Sequence, residues 1–321
     1  MRKNNISYAK YGYLFSIPFV LAFLIFNLYP TIYTVVIGFT DLRGLGRTTF
    51  KFLEDPFQNY KSILNNATFL RSLQTTFIIW IFNFIPQVLL ALLLTAWFTN
   101  RRLKVKAQGL FKVLIYMPNI ITAATIAILF NSLTGYPKGP INDLLMKMGI
   151  LDAPSNFHLQ SGTARGVVSF IQFWMWYGHS MIILIAGVLG INPTLFEAAE
   201  VDGATPAQIF FRITLPRLKT ILLYVLVTGL IGGIQMFDIP RLFLWGGPDN
   251  ATLTSSVFIY NQAFAGSYLY NRASAASMIV FIIILVLSGI MFYSMRDRAE
   301  IKLRKFEKNR LKEEKRMGGV R

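Results

Sequence analysis

The chain contains no cysteine and only two histidines among its 321 residues. The lack of cysteine excludes disulfides, thiolate nucleophiles and metal sites with cysteine ligands. His158 and His179 do not form a metal-ligand pattern, and neither an HExxH sequence nor a Gly-x-Ser-x-Gly elbow occurs. We therefore predict no catalytic residue and no metal site in this chain.

The phosphate-binding sequence GxxxxGK[ST] is also missing. Any ATP hydrolysis linked to this protein would have to come from another chain, and we expect this chain to bind no cofactor. An enzyme would also need a paired acid and base inside a cleft, which the sequence does not indicate.

Acidic residues are few, because 15 Asp and Glu stand against 32 Lys and Arg, which gives a net charge of +17. In a soluble protein such an excess favours nucleic-acid binding. That function needs aromatic side chains interleaved with a basic groove, and the basic segments contain few of them. We therefore exclude nucleic acid as a partner.

Long stretches of the chain contain no charged residue at all. Hydrophobic residues make up 54% of the sequence and charged residues 15%, which is the composition of a membrane protein. A helix needs about 20 apolar residues to cross a bilayer, and these stretches lack the alternation of barrel strands. We predict an all-α integral membrane protein with six transmembrane helices in one domain, residues 1–321. The predicted spans are about 11–39, 70–98, 110–133, 166–189, 218–244 and 272–295.

The basic residues are distributed unevenly along this predicted topology. If both termini are cytoplasmic, the inside segments hold 3 Lys and Arg before the first span, 5 in 101–112, 3 in 212–219 and 11 in the basic tail 296–321, which is 22 of the 32. This is the positive-inside asymmetry of membrane proteins. It predicts a cytoplasmic location for the segment between the fourth and fifth spans.

That segment, residues 192–216, reads NPTLFEAAEVDGATPAQIFFRITLP. It is the only place where three acids, Glu197, Glu200 and Asp202, lie close together between membrane-length apolar runs. Such a segment can dock another protein, or it can lie on the bilayer as an amphipathic helix. Three acids without a lysine suit an anionic membrane poorly, which favours docking.

The pattern of this segment predicts two short helices joined by a turn. Asn192 or Thr194 can cap the first helix, and Thr194 with Glu197 fits a capping box. Gly203 offers the left-handed backbone that ends a helix. A second cap and box then begin at Thr205.

The motif EAAEVDGA at 197–204, followed by Ile213-x-Leu215-Pro216, resembles the EAA loop of permease subunits in binding-protein-dependent ABC importers. The form with Asp202-Gly203-Ala204 is most similar to the sugar family that includes the maltose-transporter permeases. The resemblance extends over the whole chain in architecture and over about residues 165–265 in detail. It implies a type I ABC importer permease fold with a cytoplasmic coupling-helix loop, residues 192–216. In that family the loop docks in a cleft of the ATPase, which implies coupling roles for Glu197, Ala198, Ala199, Asp202, Gly203 and Ala204.

The resemblance also implies partners, a location and a substrate. The expected partners are a second permease subunit, two ATPase subunits that bind ATP and Mg²⁺, and an extracellular solute-binding protein. The expected location is the bacterial inner membrane, with both termini in the cytoplasm. The expected substrate is a sugar, in particular an oligosaccharide.

Neutral polar side chains occur inside the predicted spans. Amide and hydroxyl groups match sugar hydroxyls, although they also serve as hydrogen bonds between helices. The polar residues concerned are Asn83, Gln87, Asn119, Thr122, Gln172 and Gln235. By position relative to the family motifs, the resemblance implies that the substrate pathway is lined by Asn119, Ala123, Gln172, Trp176, Gly233 and Met236. Glycine and methionine stand in the fifth span where maltose-type relatives suggest amides, so the identity of the sugar stays open.

Asp238 is the only acid near the interior of a span, which disfavours ion-driven transport. Two interpretations of it are open: an ion pair with Arg241 at i+3, or a polar group at the mouth of the pathway. The alternative functions that remain are an ABC permease for a polyol, glycerol phosphate or an osmolyte, and, from other classes, a membrane enzyme or a structural scaffold. A phosphate ester would require intramembrane Arg or Lys, which the predicted spans lack.

Overall fold

The computed structural model describes residues 9–103 and 106–295, together with Arg310. Within that part of the chain every regular element is a helix and no strand forms. The predicted all-α fold class is confirmed. The basic tail, 296–321, lies outside the described residues apart from Arg310.

Two π-helical turns, η1 and η2, continue a helix without ending it. In chain order the elements are α1 Ala9–Phe23, η1 Leu24–Leu28, α2 Tyr29–Ile37, α3 Gln58–Leu64, α4 Ala67–Phe98, α5 Gln108–Ile120, α6 Ala123–Leu133, α7 Pro140–Lys147, α8 Ser161–Leu189, α9 Pro193–Val201, α10 Pro206–Ile209, η2 Phe210–Thr214, α11 Leu215–Arg217, α12 Lys219–Ile234, α13 Asp238–Leu244, α14 Ser255–Phe264 and α15 Tyr270–Met295.

Five helical stretches in the described residues are long and apolar enough to cross a membrane. A sixth crossing forms if α5 and α6, which are bent by 94° at a short break, count as one broken span. The predicted number of six therefore includes one crossing that is not a straight helix. The five stretches are Lys10–Ile37, Ala67–Phe98, Ser161–Leu189, Lys219–Leu244 and Tyr270–Met295.

The helices group into two compact units, each assembled from three separate parts of the chain. The first unit contains Met1–Pro86, Asn119–Met175 and Gly232–Ile283. The second contains Gln87–Pro118, Trp176–Ile231 and Ile284–Arg321. The assignment of one domain to the whole chain stays a prediction.

The core of the first unit is built from apolar residues at helical spacing. On α6, Ile126 and Phe130 are buried on one face, and on α8 the equivalent pair is Val168 and Ile171. Side chains three or four residues apart on a helix share a face, so each helix presents one apolar stripe to its neighbours. Helix α13 packs against α6 and adds Ile239 to this core.

The core of the second unit depends on a close approach of two backbones. Helices α5 and α8 meet at Gly178, where an added Cβ would overlap the carbonyl of Ile115 and lie 3.0 Å from the Cα of Tyr116. Small residues allow such contact in membrane helices, where packing is the main force between helices. Buried Met181 and Leu184 extend this contact along α8.

The first span, Lys10–Ile37, buries few side chains against the rest of the described chain. Helix α1 continues through Pro18, and Pro30 lies in the first turn of α2, where a missing N–H costs least. The π turn η1 separates the two helices. Neither proline therefore ends the helix, and its irregular turn, η1, contains no proline.

Candidate functional site

The acidic segment folds as two capped helices, as the sequence predicts. Asn192 is the cap of α9, and its side-chain oxygen accepts a hydrogen bond from the backbone N–H of Thr194 at 3.1 Å. The alternative box between Thr194 and Glu197 is not the cap of this helix. Proline at the first helical position, Pro193, lacks the N–H that would be unpaired there.

Helix α9 ends in a Schellman motif centred on Gly203. The N–H of Ala204 donates to the carbonyl of Ala199 at 2.9 Å, and the N–H of Gly203 donates to the carbonyl of Glu200 at 3.1 Å. The motif needs a left-handed residue, and Gly203 supplies it with φ of +75°. The predicted role of Gly203 as the end of the first helix is confirmed.

The second helix begins with the predicted capping box. The hydroxyl of Thr205 accepts from the N–H of Gln208, and the side-chain oxygen of Gln208 accepts from the N–H of Thr205 at 2.7 Å. Helix α10 then passes into η2, where the hydroxyl of Thr214 donates to the carbonyl of Ile209 at 3.4 Å. The segment is thus fixed at both ends by its own hydrogen bonds.

The link between α4 and α5 holds this segment from the side. Arg101 donates to the carboxylate of Glu197 at 3.2 Å, and Arg102 donates to the carbonyl of Ala204 at 3.0 Å. These contacts lie at the middle of α9 and just after the turn that ends it. In the sequence this link contributes to the positive-inside asymmetry, and its contact with the acidic segment was not predicted. Two of its residues, Lys104 and Val105, lie outside the described residues.

The predicted coupling residues are not equally accessible. Glu197, Ala198, Asp202 and Gly203 are exposed, whereas Ala204 is half-buried. Ala199 is buried, so it packs inside the segment and is not available on its surface. The sequence analysis did not single out Val201, which is 88% exposed and lies four residues after Glu197, on the same face of α9. The exposed face therefore combines acids with one large apolar side chain.

A second candidate site lies in the first unit, where two predicted spans are interrupted. Helices α5 and α6 break at Ile121 and Thr122, and the hydroxyl of Thr122 caps α6 by accepting from the N–H of Thr125. Two of the polar residues that the sequence places inside the third span, Asn119 and Thr122, lie at this break. Interrupted helices inside a membrane are tolerated where other groups satisfy the freed backbone.

The fifth span is interrupted between α12 and α13. The carbonyls of Ile234 and Met236, which this break leaves without helical partners, accept from the hydroxyls of Ser255 at 3.3 Å and Thr254 at 2.9 Å. Both hydroxyls belong to the start of α14, where Thr254 is also the helix cap. The break therefore leaves neither of these carbonyls unpaired.

Of the six predicted pathway residues, four flank these two interruptions: Asn119, Ala123, Gly233 and Met236. Met236 and Ala123 pack with the core of the first unit, and the Trp80 indole covers Gly233 so closely that no Cβ would fit. Asn119 donates to the carbonyl of Met175 at 3.3 Å. Its amide therefore already has one partner in this conformation.

Gln172 and Trp176 differ from these four. Gln172 is only 8% exposed, yet none of the described residues makes a hydrogen bond with its amide. An amide can both donate and accept hydrogen bonds, so the side chain of Gln172 is suited to bind a polar ligand. Trp176 belongs to the second unit, is exposed, and contacts the ring of His179 edge to face.

The ion pair between Asp238 and Arg241, one of the two interpretations of Asp238, does not form. Arg241 instead stacks over the rings of Trp245 and Tyr260, at 4.4 and 5.0 Å, and donates to Asn261 at 3.3 Å. Helix α14 brings Tyr260 and Asn261 to this position, and cation–π contact outweighs the i+3 pairing. Asp238 is exposed in the first turn of α13, where the helix dipole favours an acid.

Membrane-length helices with two polar interruptions, and a capped acidic segment between two spans, are the features of a membrane transport component. The family model described as "Binding-protein-dependent transport system inner membrane component" matches residues 63–305. The chain belongs to this family of inner-membrane transport permeases, and it is a multi-pass membrane protein.

Curated relatives cover nearly the whole chain. An arabinooligosaccharides transport system permease protein of Bacillus subtilis (strain 168) is 33% identical over 89% of this chain and 90% of its own length. A lactose transport system permease protein of Rhizobium radiobacter is 30% identical over 89% of this chain and 94% of its own length. A trehalose/maltose transport system permease protein of Thermococcus litoralis is 29% identical over 86% and 90%.

Solved structures share the fold. A chain of a bacterial ABC transporter involved in the import of the acidic polysaccharide alginate has a TM-score of 0.74 and 23% identity, covering 88% of this chain and 94% of that one. A chain of a bacterial alginate ABC transporter, in complex with a periplasmic protein bound to an alginate pentasaccharide, has a TM-score of 0.75 and 24% identity, covering 88% and 93%. The predicted importer permease fold is confirmed.

Proposed function

We propose that this chain is one of two permease subunits of an ATP-driven importer of sugars, in particular oligosaccharides. The observation that carries the proposal is the combination of family membership with curated relatives that transport lactose, arabinooligosaccharides and trehalose or maltose by name. The exposed, carefully capped acidic loop supports coupling to a separate ATPase, because a membrane enzyme or a scaffold has no need of it.

The other components follow from this role. A second permease completes the pathway, two cytoplasmic ATPase subunits bind and hydrolyse Mg-ATP, and a solute-binding protein delivers the sugar from outside. This chain binds no cofactor. Both termini and the loop 192–216 lie in the cytoplasm, which is supported by the 22 of 32 Lys and Arg on that side.

The loop transmits movement of the ATPase to the spans. ATP closes the ATPase dimer, α9 moves with the cleft that holds it, and the pathway opens to alternate sides of the membrane. The exposed face of α9 around Val201 provides the contact surface, and the Schellman turn at Gly203 keeps α9 at a fixed angle to α10.

Replacing Gly203 tests whether this turn is needed for coupling. Gly203→Val forces a β-branched residue into a left-handed backbone at a cost of about 1–3 kcal/mol, although nothing lies within 4 Å of the new Cβ. Sugar uptake driven by ATP should fall strongly, while the transporter still assembles. Gly203→Asn is the matched control, because asparagine tolerates this conformation and should retain most uptake. Equal uptake by both variants would show that the turn is not required.

Gln172 tests the pathway. Gln172→Leu removes an amide that has no hydrogen bond to the described residues, so assembly and basal ATP hydrolysis should stay near wild type while sugar uptake falls. The control is Gln87→Leu, which removes a 2.8 Å hydrogen bond to Ser180 and should lower stability instead. Uptake of a labelled oligosaccharide and ATP hydrolysis are measured on the reconstituted transporter. A parallel loss of both activities in Gln172→Leu would indicate a folding role.

A binding panel addresses the identity of the sugar. The solute-binding protein that operates with this permease should bind an oligosaccharide, and titration with mono-, di- and oligosaccharides would identify its length. Binding of a polyol, glycerol phosphate or an osmolyte, with no affinity for any sugar, would replace the sugar proposal by one of the alternatives.

A further inference from the structure

The second unit contains a cavity of about 890 Å³ that the transport cycle proposed above does not use. Its walls come from the end of α4, the end of α8 and the coupling loop. Most of the lining is apolar, but one part is polar and basic. The size lies within the range of about 300–1,000 Å³ that holds small ligands.

The apolar wall lies on a membrane-spanning helix and is open to the outside. Leu89, Leu93 and Trp97 line the cavity and are 62%, 64% and 49% exposed. Their four-residue spacing places them on one face of α4, along about 12 Å of the helix axis. An apolar molecule in the surrounding bilayer can therefore reach the cavity from the side.

The basic part of the lining begins where α4 ends. Arg101, Arg102 and Lys112 line the cavity, and Glu200 is the one carboxylate among its lining residues. The charge of Arg101 is balanced by Glu197. No carboxylate of the described residues forms an ion pair with Arg102 or Lys112.

Among the basic lining residues, Lys112 is the best suited to bind an additional anion. Its ammonium lies 5.8 Å from the centre of the Phe98 ring, a contact that leaves its hydrogen-bond donors available. Arg102 donates to the carbonyl of Ala204 and keeps further donors in its guanidinium. Apart from the paired Arg101, this end of the cavity therefore holds two cations, Arg102 and Lys112, and one acid, Glu200, so its net charge is positive.

We propose that this cavity is a binding site for an anionic phospholipid. One acyl chain lies along the face of Leu89, Leu93 and Trp97, and the phosphate accepts hydrogen bonds from Lys112 and Arg102. The long apolar wall does not suit a soluble anion, and the excess of cations does not suit a neutral lipid. Basic pockets at the cytoplasmic ends of membrane helices have this chemistry. Because the coupling loop supplies part of the wall, the bound lipid would contact both a span and that loop.

The test is a lipid titration of the purified, delipidated transporter with phosphatidylglycerol, read out by native mass spectrometry. We expect saturable binding of one phosphatidylglycerol per copy of this chain. Lys112→Gln should weaken it about tenfold through loss of a charge-assisted hydrogen bond. Ala96→Phe, which adds bulk to a lining position, should weaken it by a similar factor.

Matched controls separate this site from general charge and bulk effects. Lys106→Gln removes a charge of the same link outside the lining, and Ile290→Phe adds bulk to an exposed position of α15, so neither should change the affinity. Inorganic phosphate should not compete, because it lacks the acyl chain. Equal affinity for phosphatidylcholine or phosphatidylethanolamine, competition by phosphate, or equal weakening by Lys106→Gln would overturn the proposal. Absence of saturable binding would overturn it too. None of these readouts depends on sugar transport, so the result stands apart from the proposed function.

Discussion

Exchanging the charges of Arg101 and Glu197 in one double variant should restore most of the uptake that either single reversal removes. Glu197→Lys places a cation beside Arg101 and Arg102, so repulsion would displace α9 from the link that holds it. Arg101→Glu produces the opposite clash with Glu197. The pair is 45% and 57% exposed and is worth only about 0.2–1 kcal/mol to stability, so all three variants should assemble.

ATP-driven uptake and the amount of assembled transporter are measured together for the wild type, both single variants and the double variant. Recovery in the double variant identifies Arg101 as the residue that positions Glu197. The competing hypothesis is that Glu197 meets a basic group of the ATPase. Under that hypothesis the double variant would stay inactive, and Arg101→Gln alone would have little effect.

Gly178→Ala should destabilise the transporter strongly, because it inserts a methyl group where two helix backbones touch. The added Cβ would overlap the backbone carbonyl of Ile115, and backbone cannot move aside as a flexible side chain can. Overpacking of this kind costs about 1–3 kcal/mol, and more when helices are forced apart. The midpoint of thermal unfolding should fall by several degrees, with less assembled protein in the membrane.

Gly166→Ala provides the matched control on the same helix, α8. Nothing lies within 4 Å of a Cβ at that position, and alanine is a better helix former by about 1 kcal/mol. Its unfolding midpoint should stay the same or rise. If both variants lost the same stability, the contact of α5 and α8 at Gly178 would not be the cause.

Local features of the acidic segment could be predicted from the sequence because their partners are neighbours in the chain. The cap at Asn192, the left-handed Gly203 and the box at Thr205 each depend on residues within five positions. The sequence allowed either Asn192 or Thr194 as the cap of α9, and in the structure the cap is Asn192. The spacing of charges alone predicts six apolar stretches, and five of them form helices long enough to cross a membrane, whereas the third is broken between α5 and α6.

Contacts between residues that are far apart in the chain could not be predicted from the sequence in this way. Arg101 and Glu197 are 96 positions apart, and the sequence indicates only that both belong to segments between spans. Arg241 shows the converse case, because its i+3 spacing allowed an ion pair as one of the two interpretations of Asp238. Aromatic groups from α14 hold the guanidinium instead, which no local pattern indicates. The burial of Ala199 could not be predicted either, since it depends on how α9 packs.

The pairing of Thr254 and Ser255 with the carbonyls of Met236 and Ile234 has a consequence for biosynthesis. An unpaired carbonyl in hydrocarbon costs several kcal/mol, and the two hydroxyls are translated about 20 residues after the carbonyls they satisfy. At about 5–20 residues per second this is a delay of about 1–4 s. A continuous helix could not pair the carbonyl of Met236 in the meantime, because Pro240, four residues later, has no N–H to donate. We therefore expect ribosome-bound chains truncated before Thr254 to insert the fifth span less efficiently than chains that include both hydroxyls.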